Sequence, residues 1–164
     1  MHAFYRYGEG ILTEGVEDYL RTCGVDFKIH SVEGSTRTCQ DAALQLHVPL
    51  QTIIKTIVFT DEKNSPVIAI LTGDKRVDKK KLSAIVGASK IRIADPEATR
   101  NFTGFEVGVM PPIGHKRKIL TVVDNNVMGQ GSVYGGDGAS NFLVEIAPHD
   151  IVRLTDAKIA DICE

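Results

Sequence analysis

Cysteine is scarce in this chain: 164 residues contain three, Cys23, Cys39 and Cys163. They are far apart and odd in number, so they form no disulfide framework and match no zinc spacing. Such usage is expected of a protein in a reducing cytosol. Long apolar runs are missing as well. No stretch reaches the roughly eighteen residues of a membrane span, and the opening MHAFYRYGEGILTEG lacks the apolar core of a secretory signal. A cytoplasmic protein without membrane attachment is expected. Charge of one sign is also lacking. Nineteen Lys and Arg stand against 21 Asp and Glu, a formal net charge of −2, so the whole molecule has no global pull toward nucleic acid.

The common site motifs are absent too. There is no G-x-x-x-x-G-K-[ST] phosphate loop and no G-x-S-x-G elbow; GSVYG holds its serine in the wrong register. GGDGASN lies between two strand-like runs, so it reads as a hairpin loop rather than a dinucleotide fingerprint. His30, His47 and His149 are scattered, and no His-x-x-x-His pair suggests a metal. No metal and no cofactor are expected.

What is present is ordinary in bulk and unusual in detail. Apolar residues make up 43% and charged residues 24%, which fits one soluble domain over residues 1–164 with a full core. Basic residues gather twice: Lys75, Arg76, Lys79, Lys80 and Lys81, then His115, Lys116, Arg117 and Lys118. A charge run is commonly only a solvated face. The second cluster, however, follows GVMPPIG (108–114), where two adjacent prolines forbid a helix interior or a central strand. A stiff loop beside concentrated positive charge needs explaining.

Helix signals are clear. Thr13 is a candidate cap for a helix with Val16, Tyr19, Leu20 and Cys23 on one face, stopped by Gly24. Thr38 caps a helix carrying Ala42, Ala43 and Leu46 and ending before Pro49. Asp78 caps KKKLSAIVG, with Leu82, Ile85 and Val86 on one face. Asp95-Pro96 supplies a cap and a first-turn proline. DFKIHSV, KIRIAD, FEVGV and ILTVVD read as strands, KTIVFT and PVIAILT as a hairpin about DEKNS, and SVYGGDGASNFLVEIA as two more strands. Two short helical stretches follow Pro148, with Thr155 capping the last. Hairpins are as frequent as helical crossovers. That predicts an α+β fold, a mixed, partly closed sheet flanked by helices, rather than a doubly wound parallel sheet.

Lys55 stands out because apolar residues bracket it on both sides, in TII and TIVF. By composition alone it is as readily a lysine snorkelling from a strand end. Taken in order, four segments resemble the YbaK / prolyl-tRNA synthetase editing-domain family: TCQDAALQL, Lys55 at the head of KTIVF, the loop GFEVGVMPPIGH, and VYGGDGASNFLVEIAPHDIVRL. The likeness runs from about Thr13 to Leu154, and its specificity lies in the combination. It implies a mixed, barrel-like sheet flanked by helices and a hydrolase that removes a wrong amino acid from tRNA, most often the proline tRNA. It places the family's essential lysine on Lys55 and the Gly-x-x-x-Pro loop on Gly108, Val109, Met110, Pro111 and Pro112, with Gly104 and Gly114 also matching. Gly135 and Gly136 match the later glycine-rich strand end, and Thr36 and Thr38 the small polar residues before the Ala-Ala helix. Val109 and Pro111 depart from many relatives, which have a glycine and a serine there.

The implied function is a trans-acting aminoacyl-tRNA deacylase. Its substrate would be a small amino acid such as alanine, cysteine or serine on a proline-type tRNA. The tRNA acceptor end is the expected partner, with prolyl-tRNA synthetase a further candidate. An aminoacyl ester is already activated, so positioning matters more than a strong nucleophile, whether water or the neighbouring ribose hydroxyl attacks. Lys55 would stabilise an oxyanion or bind the adjacent phosphate. Gly108 would bring the backbone close to the ester. His115 to Lys118 are expected along the acceptor-stem phosphates. The alternatives are a non-catalytic tRNA- or synthetase-binding module of the same fold, and a nucleotide-binding protein using GGDG. The lack of a helix after GGDG counts against the last.

Overall fold

The computed structural model describes residues 4–7, 11–139 and 141–164, and the side chains from Gly15 onward within that set. The chain begins with an antiparallel hairpin, β1 (Phe4–Tyr7) and β2 (Ile11–Glu14), followed by helix α1 (Gly15–Thr22). Next come β3 (Phe27–Ser31), α2 (Cys39–Leu46) and a single 3-10 turn at Leu50–Thr52. The hairpin β4 (Ile54–Asp61) and β5 (Pro66–Thr72) leads to α3 (Lys79–Val86), β6 (Ile91–Ile93) and α4 (Pro96–Thr103). After a long loop follow β7 (Leu120–Asp124), α5 (Asn125–Met128), β8 (Val133–Gly136), β9 (Phe142–Ile146), α6 (Pro148–Thr155) and β10 (Lys158–Ala160).

Two larger sheets organise these elements. One has five strands in the order β10-β7-β5-β4-β6; the other has three, β3-β9-β8. A parallel bridge between Ile53 and Tyr134 stitches them together just before β4. This is the expected α+β architecture with a mixed, partly closed sheet.

The main core lies between the two sheets. Val58, Ile68, Ile70 and Val123 meet Val133, Val144 and Ile146 there, and Val16, Tyr19 and Leu20 of α1 close one side. The five-stranded sheet is covered on its other face as well. Phe59, Val67, Ala69 and Val122 pack there against Leu82 of α3 and Ile162. Burial on both faces explains why PVIAILT is an unbroken apolar run instead of an alternating one.

Local capping chemistry sets the helix starts. Thr38 Oγ1 accepts from Asp41 N–H at 3.0 Å, Asp78 Oδ1 from Lys80 and Lys81 N–H at 2.9 and 3.1 Å, and Asp95 Oδ1 from Ala98 N–H at 2.7 Å. Each such cap stabilises its helix by about 1 kcal/mol.

Several expectations are corrected. FEVGV is not a strand: residues 104–119 form one irregular loop. Phe105 is buried, Val107 is exposed and Gly108 takes φ +94°, so the apparent alternation never lies flat against a partner. The segment after α6 is β10, in parallel pairing with β7, and Thr155 ends α6 rather than capping another helix. Thr13 lies within β2, so Glu14 is the residue directly before α1. Ile85 is exposed, whereas Leu82 of α3 is fully buried and Val86 packs against the same cluster.

Candidate functional site

Lys55 is the second residue of β4 and pairs with Leu71 of β5. It shares a strand face with Ile57 and Phe59, which pack into the second core cluster. Beyond Ile57 that face opens into a cleft of about 660 Å³, and Lys55 lines it. The size is that of a small-ligand site.

The structure brings most of the expected residues to this one cleft. Thr36, Thr38, Gly108, Val109, Met110 and Gly136 line it with Lys55. Thr38 is engaged as the cap of α2. Pro111, Pro112 and Gly135 are buried and do not line the cleft; they shape the loop from behind.

The loop is held like core. Residues 110–115 are all buried, and Ile113 is fully so. A Cβ on Gly135 would lie 3.2 Å from Pro112 Cδ, and one on Gly136 only 2.6 Å from the Val109 carbonyl oxygen. The bare Gly136 backbone is therefore what lets the loop lie against β8. Gly138 N–H then donates to the Val109 carbonyl at 2.9 Å. With that carbonyl turned inward, the N–H groups of Gly108 and Met110 make no hydrogen bond among the described residues. Gly108 itself has φ +94° and nothing within 4 Å of where a Cβ would stand, so its requirement is conformational.

His115 belongs to this scaffold and not to a nucleic-acid surface, which corrects the sequence reading. It is 3% exposed, and its Nε2–H donates to the Pro111 carbonyl at 2.8 Å. Burial pushes the imidazole down to about 4, so the ring is neutral at pH 7 and offers a phosphate no charge. The ring also meets Phe105 edge-on, with centroids 6.2 Å apart.

The three following basic residues are exposed but sit elsewhere. None lines the cleft. Leu120 pairs with Val67, four positions along β5 from the Leu71 that faces Lys55, a separation of about 13 Å along the strand. Arg117 stacks over Phe102 at 4.8 Å, and Lys118 pairs with Asp156 at 3.1 Å.

The cleft has its own cations. Among the described residues, Arg37, Lys75 and Arg76 line it with Lys55, against one carboxylate, Asp74. None of the four cations is in an ion pair among the described residues. On a chain of net charge −2 this is a local concentration of positive charge. Lys75 and Arg76 belong to the first basic cluster. A sheet-like clasp holds their segment: Asp78 N–H donates to the Ile162 carbonyl at 2.8 Å, Glu164 N–H donates to the Arg76 carbonyl at 3.0 Å, and Val77 bridges Cys163. Buried Asp124 anchors the clasp by accepting from Ile162 N–H at 3.0 Å. Lys79 and Lys80 stay outside the cleft on α3, and Lys81 pairs with Asp161 at 2.8 Å.

Cys39 and Phe142, which the sequence did not single out, also line the cleft. Burial pushes the Cys39 thiol up, and the charge of Lys55 opposes that rise. The thiol thus stays protonated and is a poor nucleophile. Among the described residues no cluster of His, Cys, Asp and Glu could hold a metal ion, and no helix is long and apolar enough to cross a membrane.

Comparison with known proteins identifies the family and the fold. Residues 33–154 match the aminoacyl-tRNA editing domain family. The chain is 30% identical over 128 residues to the Enterococcus faecalis protein named "Putative Cys-tRNA(Pro)/Cys-tRNA(Cys) deacylase EbsC", covering 76% of each. It is 29% identical over 102 residues to the proline–tRNA ligase of Brachyspira hyodysenteriae, covering 62% of this chain and 18% of that enzyme. A solved structure titled "Crystal structure of a putative trans-editing enzyme for prolyl tRNA synthetase" superposes with a TM-score of 0.81 at 32% identity, over 88% of this chain and 92% of that one. A match over most of the chain, with the same fold and a lysine and glycine loop sharing one cleft, has one consequence: this chain belongs to the aminoacyl-tRNA editing domain family.

Proposed function

We propose that the chain, acting as one domain over residues 1–164, is a trans-acting aminoacyl-tRNA deacylase. It would hydrolyse the ester between a small amino acid, alanine, cysteine or serine in size, and a proline-type tRNA. The observation that carries this reading is the cleft itself. It is lined by Lys55, whose ammonium has no carboxylate partner among the described residues, and by Gly108 and Met110 of a fixed loop, whose N–H groups make no hydrogen bond among those residues.

The chemistry follows from these groups. Water, or the ribose hydroxyl beside the ester, adds to the acyl carbon, and charge builds on the carbonyl oxygen. Donors already aimed at that oxygen lower the barrier because they need not reorganise. The C–O bond to the ribose then breaks, the ribose oxygen takes a proton, and the amino acid leaves as its carboxylic acid. Where the ribose hydroxyl attacks first, the acyl group moves to the neighbouring oxygen and water completes the release. Lys55 supplies a compact positive charge for the developing oxyanion or for the neighbouring phosphate. Arg37, Lys75 and Arg76 give the nucleotide backbone its counter-charges. Val109 and Met110 fill the loop side of the cleft and would set the size of side chain admitted. The relationship to proline–tRNA ligases supports prolyl-tRNA synthetase as the source of the mischarged substrate.

The test is initial deacylation rates on proline tRNA carrying alanine, serine, cysteine or proline, for wild type and Lys55→Ala. We expect cleavage of one or more small esters, prolyl-tRNA spared, and loss of activity in Lys55→Ala with thermal stability retained. Binding of tRNA without hydrolysis of any of the four would favour the non-catalytic module. Full activity in Lys55→Ala would remove the lysine from the mechanism. Prolyl-tRNA cleaved as fast as the small esters would refute the size sieve.

A further inference from the structure

One side chain in the cleft has chemistry that ester hydrolysis does not require. Phe142 is the single aromatic residue lining it among those described. It is 39% exposed at the first position of β9, and its ring has no ring partner among the described residues. A large apolar ring left in the open costs solvation free energy unless something covers it. Here it belongs to a cleft whose charged side chains, among the described residues, are four cations and one carboxylate. An unstacked aromatic beside unpaired cations is how proteins hold single-stranded nucleic acid: the ring stacks on a base and the cations follow the backbone.

We propose that Phe142 is the stacking platform for the terminal nucleobase of the RNA, placed so that the neighbouring ester reaches Lys55 and the Gly108 loop. The inference rests on the deacylase reading and assigns the same cleft a second subsite. Surrounding features fit a base more than an amino-acid side chain. Gly136, which ends β8, and Ala139, on the connection to β9, also line the cleft, and neither has a side chain larger than a methyl group to compete with a base for space. Val107, 61% exposed and in the same cleft, offers a further apolar contact. Stacking is indifferent to base identity, so this subsite would fix position while the loop residues discriminate the amino acid.

The experiment uses the full chain and two uncharged RNA minihelices. One ends in 3′-adenosine; the other is identical except for an abasic terminal ribose. Wild type should bind the adenosine-ended RNA about tenfold more tightly. Phe142→Ala should lose that preference and bind both alike, and Phe142→Trp should restore it. On mischarged tRNA, Phe142→Ala should raise KM about tenfold with kcat nearly unchanged, a split that general loss of structure would not produce. Equal wild-type affinity for the two RNAs, or an adenosine preference that survives Phe142→Ala, would overturn the assignment even if deacylation is intact. If the base preference depends on Phe142 but no ester is hydrolysed, the platform stands and the deacylase reading falls.

Discussion

Gly136→Ala is the sharpest test of how the cleft is built. An added Cβ would stand 2.6 Å from the Val109 carbonyl oxygen and 2.7 Å from that of Met110. A relaxed carbon–oxygen contact needs about 3.3 Å, so the loop must retreat by about 0.7 Å. Both obstructing atoms are backbone, so no rotamer change can relieve them. The Val109 carbonyl also holds Gly138 N–H at 2.9 Å, and retreat strains that bond. Overpacking of this kind costs about 1–3 kcal/mol. For a chain of this size that is a fall in Tm of about 2–12 °C. Activity should suffer more, because the Gly108 and Met110 N–H groups move with the loop. A displacement near 1 Å at reacting groups can cost about 100-fold. Single-turnover deacylation and thermal unfolding should be measured together, with Gly131→Ala as the control, since nothing lies within 4 Å of that position. A Gly136→Ala protein with a wild-type rate and Tm would refute the claim that bare backbone at 136 sets the loop.

Three other outcomes are expected. Gly108→Ala meets no atom but must hold φ +94°, so it should cost about 1–2 kcal/mol and lower the deacylation rate less than Gly136→Ala; an equal or larger loss would mean close approach, not backbone strain, dominates there. Replacing Lys75 and Arg76 together should make the log–log salt dependence of tRNA binding shallower by about 0.7–0.9 per lost phosphate contact, while replacing Lys116, Arg117 and Lys118 should change it less; the reverse ranking would move the RNA path to the far end of the sheet. His115 is neutral when folded, with its pKa depressed from 6.5 to about 4, so the unfolded chain binds the extra proton between those values. Folding stability should therefore fall as pH drops through that window, by about 3 kcal/mol in full, and His115→Phe should lose this component in denaturant titrations; parallel pH profiles for the two proteins would contradict the burial argument.

Features set by local chemistry were legible in the sequence. Thr38, Asp78 and Asp95 announce their helices because a cap depends on residues two or three positions away. The β4–β5 hairpin was legible for the same reason, and its register could have gone further. If Lys55 pairs with Leu71, residues 73–76 must emerge beside it, which puts Lys75 and Arg76 at the cleft and leaves Lys116 to Lys118 behind. What sequence could not supply is contact between distant segments. The three residues of β10 have too little pattern to announce a strand; only the open edge of β7 makes them one. His115 looked like part of a basic cluster until the fold enclosed it against Phe105 and the Pro111 carbonyl. Phe142 looked like any strand aromatic, and only the cleft reveals its open ring.

The enclosure of residues 110–115 also bears on how this protein is cut and how it can be lengthened. An irregular loop is ordinarily where proteases nick a chain and where insertions are tolerated. Here the middle of the loop is as inaccessible as a central strand, and only its two ends, 106–108 and 116–118, face outward. Trypsin acting on the folded protein should cut at Lys116 to Lys118 and leave the six preceding residues wedged against Gly135 and Tyr19. The nicked halves should stay together through the strands on either side. Extra residues would be accommodated after His115, at the end remote from the cleft, whereas a single insertion between Met110 and His115 would have nowhere to go.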